Sequence, residues 1–302
     1  PQPTYLIILG FILGSIVTIF PGVPTSWDIL YCILTLAAGY AAIRLLSRAE
    51  EKMEEKLLKD DAYLSKIHTM LEQVEQGEQA GIEAAAQAAY ESIRKGGLLH
   101  VFSTGHSHMI VEEMFYRSGG LVPVNPILVD ELMVHKGAIT STRMERLHGK
   151  AEEVLSAAGL QKGDTIIISS NSGINAVPVE AALYAKRQGL TVVAVTSRKV
   201  SETLQSRCEN GKHLYEVADI VIDNHAPRGD GFFTIPGTEQ ITGGASTFSS
   251  LFIAQRIVLK IENLYLAKGE MPPVLRSANL PGGDEYNSKV IAQYQARIKA
   301  LC

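Results

Sequence analysis

Residues 165–175 read TIIISSNSGIN, an apolar run followed by hydroxyl and amide side chains and a glycine, and this stretch decides the fold. A short run rich in β-branched residues is typical of a buried strand of a parallel sheet. A helical pattern over residues 176–188 follows it. Because the helix after such a strand directs free N–H groups and its positive dipole end at the crevice above the sheet, we expect this turn to bind an anion.

Further apolar runs lie on both sides of this stretch and alternate with helical patterns. Such alternation predicts an α/β fold: a doubly wound, mainly parallel sheet with helices on both faces, preceded by two amphipathic helices that lead into Gly96 and Gly97. The predicted strands are residues 98–102, 165–168, 190–195 and 220–222. The predicted helices between or after them are residues 107–117, 144–157, 176–188, 247–268 and 287–301.

A second strand-to-helix turn repeats the polar pattern at residues 101–108, which read VFSTGHSH. Small hydroxyl residues and a glycine again precede a helix, and two histidines beside them could transfer protons or bind hydroxyl groups of a ligand. Histidines at i and i+2 diverge at a helix start, so no metal site is predicted. A third polar turn, residues 243–247 (GGAST), opens the long late helix.

Several common sites are excluded by their missing motifs. The chain has no G-x-x-x-x-G-K-S/T, no G-x-G-x-x-G and no G-x-S-x-G, which argues against a nucleoside triphosphate site, a dinucleotide site and a serine-hydrolase nucleophile. The alternative reading of the serine-rich turn is a helix cap, but three hydroxyls around one turn exceed what capping needs. We therefore favour an anion site there.

Composition limits the possible partners. The 302 residues carry a net charge of −4, which gives no field to attract nucleic acid, and no nucleic-acid partner is predicted. Cys32, Cys208 and Cys302 are widely spaced and odd in number, so neither a disulfide framework nor a zinc site is indicated. This cysteine usage fits a reducing cytoplasmic compartment.

The N-terminal residues predict a membrane hairpin. Residues 5–20 and 29–46 are two apolar runs of nearly bilayer-spanning length, joined by the turn PGVP at 21–24. Basic residues cluster after the second run, so the positive-inside rule places the rest of the chain in the cytoplasm, attached to the cell membrane. The alternative is a pair of buried helices. The predicted domains are a membrane hairpin (1–48), a charged helical linker (49–62) and an α/β domain (63–302).

The polar turns, together with several other motifs, are where the sequence resembles the SIS (sugar isomerase) domain family. The matching motifs are TGHSH (104–108), PVNP (123–126), residues 169–178, AVTS (194–197), VADIVIDN (217–224) and GGDEYN (282–287). They look like a bacterial branch of that family. The N-terminal motifs LGFILGS (9–15) and FPG (20–22) resemble the final spans of polyprenyl-phosphate transporter-like membrane proteins.

The resemblance implies a phosphosugar-binding site near the boundary of a homodimer. Phosphate would be held by Ser169, Ser170, Asn171 and Ser172, with Thr104, Ser107 and Thr247 nearby. The complete predicted binding set adds Gly105, Gly173, Thr196 and Ser197.

Catalytic residues are harder to assign. Isomerising a sugar phosphate needs a base that moves a proton between adjacent carbons and a group that opens the ring. Glucosamine-phosphate synthases of this family carry a glutamate before a similar helix start, where this chain has Ile241, with Glu239 two residues earlier. The catalytic candidates are Glu239, His106, Glu131 and His225, with Glu112 and Glu285 as further possibilities.

The first functional hypothesis is an enzyme that acts on a cytosolic sugar phosphate, either as an isomerase or as an etherase of the muramic acid-phosphate type. Neither an organic cofactor nor a metal is required. The alternative is a non-catalytic module that senses a sugar phosphate and signals to a partner. A purely structural scaffold would leave the polar turns unexplained.

Overall fold

The structure is a computed structural model that describes residues 26–54 and 56–302. These residues divide into two compact units. One unit contains the described residues up to Lys59 and the segment Thr234–Gln240. The other contains Asp60–Phe233 and Ile241–Cys302, and it carries the sheet.

In the first unit, helix α1 spans Ser26–Glu54. The predicted membrane span 29–46 falls within α1, so its helical character is confirmed, whereas the predicted span 5–20 lies outside the described residues. Within the part of the chain that the structure describes, no helix combines the length and the apolar character needed to cross a bilayer. No finding therefore supports the membrane hairpin, and the cellular location stays a prediction.

The second unit is built from short strands and helices that largely alternate. It begins with α2 (Tyr63–Gly77), α3 (Gln79–Arg94), β1 (Leu99–Ser103), α4 (Met109–Met114), β2 (Val124–Ile127), α5 (Val134–Met144), α6 (Lys150–Ser156), β3 (Thr165–Ser169) and α7 (Ala176–Arg187). It continues with β4 (Thr191–Thr196), α8 (Arg198–Ser201), α9 (Leu214–Val217), β5 (Ile220–Asp223), β6 (Gly231–Thr234), β7 (Ile241–Gly244), α10 (Ser246–Leu266) and α11 (Gly283–Ile291).

Five strands form one sheet in the order β2-β1-β3-β4-β5, and every neighbouring pair is parallel. Strand β3 shows why the sequence specifies this arrangement. Ile167 packs into the cluster that contains α3 and α10, whereas Ile166 and Ile168 pack into the cluster that contains α6 and α7. Because successive side chains of a strand point to opposite faces, an unbroken apolar run buries both faces. The predicted doubly wound α/β fold is confirmed.

Helix α3 approaches the sheet closely because it is rich in small residues. Ala85, Ala86 and Ala89 are buried on the sheet side. At Gly81 an added Cβ would lie 3.0 Å from the carbonyl oxygen of Val221, next to β5. Glu78, at the corner between α2 and α3, accepts a hydrogen bond from the backbone N–H of Asp223 at 3.0 Å. The last strand of the sheet is thus attached directly to the α2–α3 corner.

The amino ends of β1 and β3 meet around a buried carboxylate. Asp164, 1 % exposed, accepts hydrogen bonds from Leu98 N, Gln161 N and His100 Nε2 at 2.8–3.0 Å, and from Arg297 Nη2 at 2.7 Å. Asn125 donates to Nδ1 of His100 at 2.9 Å, so the ring proton lies on Nε2. These bonds lower the pKa of Asp164 to about 2, although burial alone, the largest influence, would raise it.

Three local differences separate the structure from the sequence prediction. Strand β2 was not predicted, because its four residues VNPI look like a loop, yet the strand pairs with β1. The single helix predicted over 144–157 is wrong: α5 ends at Met144, and α6 begins after Gly149, whose φ of +79° is left-handed. The last helix ends at Ile291 instead of continuing to residue 301.

Candidate functional site

The turn after β1 presents polar side chains at the carboxyl edge of the sheet. A short 3-10 helix covers Gly105–His108, and Gly105 takes a φ of +58° that glycine adopts without strain. His108 turns inward and its Nδ1 donates to the carbonyl oxygen of Gly105 at 2.5 Å. Ser107 is half-buried, and within the described chain its hydroxyl has no hydrogen-bond partner.

The turn after β3 is held in shape by its own backbone. Ser170 N donates to Val195 O at 3.0 Å, and Gly173 N donates to the Ser170 hydroxyl at 3.3 Å. Gly173 has a φ of +62°, and a Cβ there would lie 2.8 Å from the Thr196 hydroxyl, so only glycine fits. In the described structure neither the backbone N–H groups of Asn171 and Ser172 nor the Ser172 hydroxyl has a protein partner.

The free donors at this turn come from the loop and not from the helix that follows it, which differs from the expectation. The first N–H groups of α7 are largely engaged or absent, because Val177 N donates to Glu145 O at 3.1 Å and position 178 is a proline. Consecutive loop N–H groups can line an anion-binding concavity without a helix dipole. The geometry therefore still favours an anion site at this turn, formed by the N–H groups of the loop and not by the N-terminus of α7.

A buried layer supports this turn from behind. Asn171 O accepts hydrogen bonds from Ser197 N at 2.9 Å and from the Thr196 hydroxyl at 3.3 Å. The Ser197 hydroxyl donates to Ala226 O at 2.7 Å. Because Thr196 and Ser197 are completely buried and bonded to backbone, the structure places them as supports of the loop. Ser169, also buried, accepts at its carbonyl from the Ser103 hydroxyl at 2.7 Å.

The third turn leads into α10 and closes a small cleft with the turn after β1. Asp230 accepts hydrogen bonds at the helix start, from Ser246 N at 2.7 Å and from the Ser246 hydroxyl at 2.9 Å. The half-buried Thr247 hydroxyl has no partner in the described chain. Polar side chains from both turns line the cleft: His106, Ser107, Ser246, Thr247 and Ser250.

Asn224 connects the β3 turn to this cleft. Its Nδ2 donates to Asn171 Oδ1 at 3.1 Å and to the Ser250 hydroxyl at 3.4 Å. Since β1 and β3 are neighbours in the sheet, their turns share one edge. The structure therefore brings the three predicted polar turns together.

Sequence reasoning missed several residues at this edge, among them Asn224, Ser250 and Glu145. Glu145 is the carboxyl group among these three. It follows α5, and its Oε2 accepts a hydrogen bond from the Thr104 hydroxyl at 3.0 Å. Burial raises the pKa of its carboxyl, although the Thr104 hydrogen bond and the charges of Arg146 and Arg207 lower it. The neighbouring sequence RMERLHG is highly charged and looks like a solvated helix. Only the glycine at 149 signals that the chain breaks and turns inward there.

The predicted catalytic candidates occupy different places. His106 lines the cleft. Glu131 is exposed and forms an ion pair with Lys150, and His225 pairs with Glu78 at 3.0 Å. Glu239 lies in the Thr234–Gln240 segment, which belongs to the other compact unit. The other two candidates also form ion pairs, Glu112 with His108 at 3.3 Å and Glu285 with Lys289 at 2.7 Å. Catalytic roles for all of them stay predictions.

No metal centre is evident among the residues that the structure describes, since no group of three or more His, Cys, Asp or Glu side chains there could hold an ion. The donors at the carboxyl edge are hydroxyl and N–H groups, which suit an anion better than a cation.

The fold is that of a doubly wound α/β domain with polar turns that suit an anion at the carboxyl edge of its sheet. Comparisons with known proteins identify its family. The family model of the SIS domain matches residues 62–197. A UPF0309 protein of Halalkalibacterium halodurans is 40 % identical over 245 residues, which cover 80 % of this chain and 96 % of that relative. Another from Geobacillus sp. is 38 % identical over 246 residues, 80 % of this chain and 98 % of the relative. The chain belongs to the UPF0309 proteins and contains an SIS domain.

Among solved structures, the chain is similar to a phosphoheptose isomerase from Francisella tularensis. The TM-score is 0.44 and the identity 16 %, and the match covers 68 % of this chain and 97 % of that chain.

Proposed function

We propose that the protein binds a sugar phosphate at the carboxyl edge of its sheet and isomerises it. The observation that carries the proposal is a set of three half-buried hydroxyls, on Ser107, Ser172 and Thr247, that have no hydrogen-bond partner in the described chain. These hydroxyls are not engaged within the described chain and lie at one edge, so together they are available to a ligand that accepts hydrogen bonds. The SIS domain supports a sugar phosphate as that ligand.

The donors suit a phosphate group in particular. The loop N–H groups of Asn171 and Ser172 and the Ser172 hydroxyl can each donate to a phosphate oxygen, and such charge-assisted bonds are stronger than neutral ones. Arg207 adds positive charge beside the turn, where its guanidinium donates to Asn175 Oδ1 at 2.6 Å. The Ser107 and Thr247 hydroxyls and the exposed His106 ring lie beside one another at this edge, where they are available to the hydroxyl groups of a sugar.

Isomerisation is favoured over ether cleavage because of the acid–base groups at the edge. Moving a proton between adjacent carbons can be done by one carboxyl group acting first as a base and then as an acid. Ether cleavage adds the departure of a substituent and the addition of water. Glu145 supplies a carboxyl group that accepts a hydrogen bond from Thr104, in the polar turn after β1.

A sensor without catalysis is the second candidate. It is favoured by the ion pairs of Glu131 and His225, which occupy two of the predicted catalytic groups. Binding of a sugar phosphate without conversion to an isomer would establish it.

The test is a thermal-denaturation screen of the full chain against aldose, ketose and amino-sugar phosphates, their unphosphorylated parents and inorganic phosphate. A ligand that binds only the folded state at a hundred times its Kd stabilises the protein by about 2.7 kcal/mol. We expect at least one sugar phosphate to raise the midpoint while its parent does not. Absence of any shift across the panel would contradict the proposal. Compounds that bind are then incubated with the protein, and the isomeric product is sought by NMR.

A further inference from the structure

We propose that Glu145 is the residue that removes and returns the proton of the sugar carbon. The inference rests on the proposed function, since it assigns a role to a side chain at the same edge. It follows from where the carboxyl group lies, from the glycine beside it and from the direction in which burial shifts its pKa.

Glu145 is fixed at both its side chain and its backbone. The side-chain Oε2 accepts the Thr104 hydroxyl at 3.0 Å, and the backbone carbonyl accepts Val177 N, in the first turn of α7, at 3.1 Å. The residue therefore lies between the turn after β1 and the helix that follows the β3 turn. The backbone hydrogen bond fixes the position of the residue and the Thr104 hydrogen bond orients its carboxyl group, and proton transfer to a bound carbon requires such orientation.

Gly105 leaves space next to this carboxyl. A Cβ at position 105 would lie 3.6 Å from Glu145 Oε2, within van der Waals contact, so any side chain there would cover the oxygen. The φ of +58° at Gly105 also makes glycine the residue of choice. Ser107, two residues further along the same turn, carries one of the unpaired hydroxyls proposed to bind the sugar phosphate. The Glu145 carboxyl oxygen, bonded to Thr104, therefore lies at the turn that also carries a proposed ligand-binding group.

The protonation behaviour of Glu145 supports the same role. Burial raises the pKa of its carboxyl, which brings the group closer to the range in which it can both accept and return a proton near neutral pH. Among the described residues, Glu262 is the other carboxyl whose pKa is raised overall, and burial is the cause there too. Glu262 lies 16 residues beyond the start of α10, about 24 Å along the helix axis, so it cannot serve this edge.

The reaction step is balanced without a co-reactant. The Glu145 carboxylate takes the proton from the carbon next to the carbonyl of the open-chain sugar, the C–H electron pair becomes the double bond of an enediol, and the carbonyl oxygen gains a proton from water. The protonated Glu145 then gives its proton to the former carbonyl carbon, and the neighbouring hydroxyl releases a proton to water as it becomes the new carbonyl. One substrate carbon is oxidised and its neighbour reduced, with no external oxidant or reductant.

The decisive experiment compares Glu145→Gln with wild type in D₂O, using the sugar phosphate that binds best in the screen. Glutamine keeps the size and can accept the Thr104 hydrogen bond, but it is not a base. We expect exchange of the carbon-bound proton and formation of the isomer to fall about 10²–10⁴-fold, while the Kd stays within about threefold. The matched control is Glu152→Gln, an exposed glutamate of α6 paired with Arg187 at 3.3 Å, which should exchange at the wild-type rate.

Thr104→Val gives a second readout that does not depend on the behaviour of the Glu145→Gln variant. Removing a hydrogen bond that lowers the Glu145 pKa should raise that pKa further, with Arg146 and Arg207 still opposing the rise. The deprotonated form of Glu145 is the base. The fall of the exchange rate at acidic pH should therefore begin at a higher pH in this variant than in wild type. If Glu145 has only a structural role, the two pH profiles should fall at the same pH.

The outcomes separate the two proposals. Unchanged exchange in the folded Glu145→Gln variant overturns the role of Glu145. A wild-type protein that binds a sugar phosphate but neither exchanges its proton nor forms an isomer also overturns it, while the binding proposal stands. Failure of the wild type to bind any sugar phosphate overturns the proposed function itself.

Discussion

The polar groups at the two edges of the parallel sheet differ in whether they have hydrogen-bond partners. At the amino edge, Asp164 is completely surrounded by donors from Leu98, His100, Gln161 and Arg297. At the carboxyl edge, hydroxyl and N–H groups in the turns after β1 and β3 have no partner in the described chain. Saturated polar groups stabilise the fold, and unsaturated ones are available to a ligand. The difference separates residues that fold the protein from residues that give it a function.

The largest expected effect is at the amino edge. Asp164→Ala leaves the buried His100 side chain and the Arg297 guanidinium without their carboxylate, and breaking a buried charged pair typically costs about 3–5 kcal/mol. We expect the free energy of unfolding, measured with urea, to fall by this amount. Glu202→Ala, which removes an exposed carboxylate paired with Arg198 at 2.9 Å, should cost less than half as much. Equal losses of unfolding free energy in the two variants would show that Asp164 stabilises the fold no more than an exposed ion pair does.

Ser172→Ala should have the next largest effect, and on affinity instead of stability. The Ser172 hydroxyl has no partner in the described chain, so its loss should change the free energy of unfolding by less than about 0.5 kcal/mol. A lost hydrogen bond to a charged phosphate should weaken sugar-phosphate binding by about 1.5–3 kcal/mol, measured by calorimetry. Ser156→Ala, at the exposed end of α6, is the control. Unchanged affinity would remove the β3 turn from the site.

Stability should depend on pH through Asp164. Its folded pKa of about 2 lies below its ordinary value of 3.8, so the unfolded chain takes up the proton first as the pH falls. The stabilisation, about 2 kcal/mol by this difference in pKa, is fully present above about pH 5 and is lost as the pH falls from there to about 2. Unfolding free energies of wild type and Asp164→Asn should therefore converge as the pH is lowered from 5 to 3. Parallel curves would contradict this.

The smallest effect concerns the layer behind the β3 turn. Ser197→Ala removes a buried hydrogen bond to Ala226 O and should lower the free energy of unfolding by about 1 kcal/mol. Because this hydroxyl is engaged within the protein, sugar-phosphate affinity should change less than in Ser172→Ala. An affinity loss as large as that of Ser172→Ala would mean that Ser197 contacts the ligand directly.

The sequence predicted the sheet well because its strands are short β-branched runs. Residues 165–168 and 190–195 needed no tertiary information to be identified as buried strands. Strand β2 escaped because Pro126 and Asn125 disfavour a strand, yet β2 lies at the sheet edge, where one side of the backbone makes no ladder bonds.

Within the site, sequence reasoning located the polar turns but could not assign roles to individual residues. Hydroxyl and glycine residues after a strand are a local pattern, whereas the burial of Thr196 and Ser197 depends on loops that fold over them. Glu145 lies 41 residues after Thr104, and only the folded chain brings the two together. Long-range contacts of this kind leave no periodicity in the sequence.

Deuterium exchange of the Asp223 amide, which donates a hydrogen bond to Glu78, can report local opening in this protein. An amide bonded to a side chain exchanges with deuterium only when that bond opens, which here requires the Glu78 carboxylate to leave the end of β5. The exchange rate of this one amide therefore reports how often that contact between the α2–α3 corner and β5 opens. His225, held by the same carboxylate at 3.0 Å, would be released in the same event.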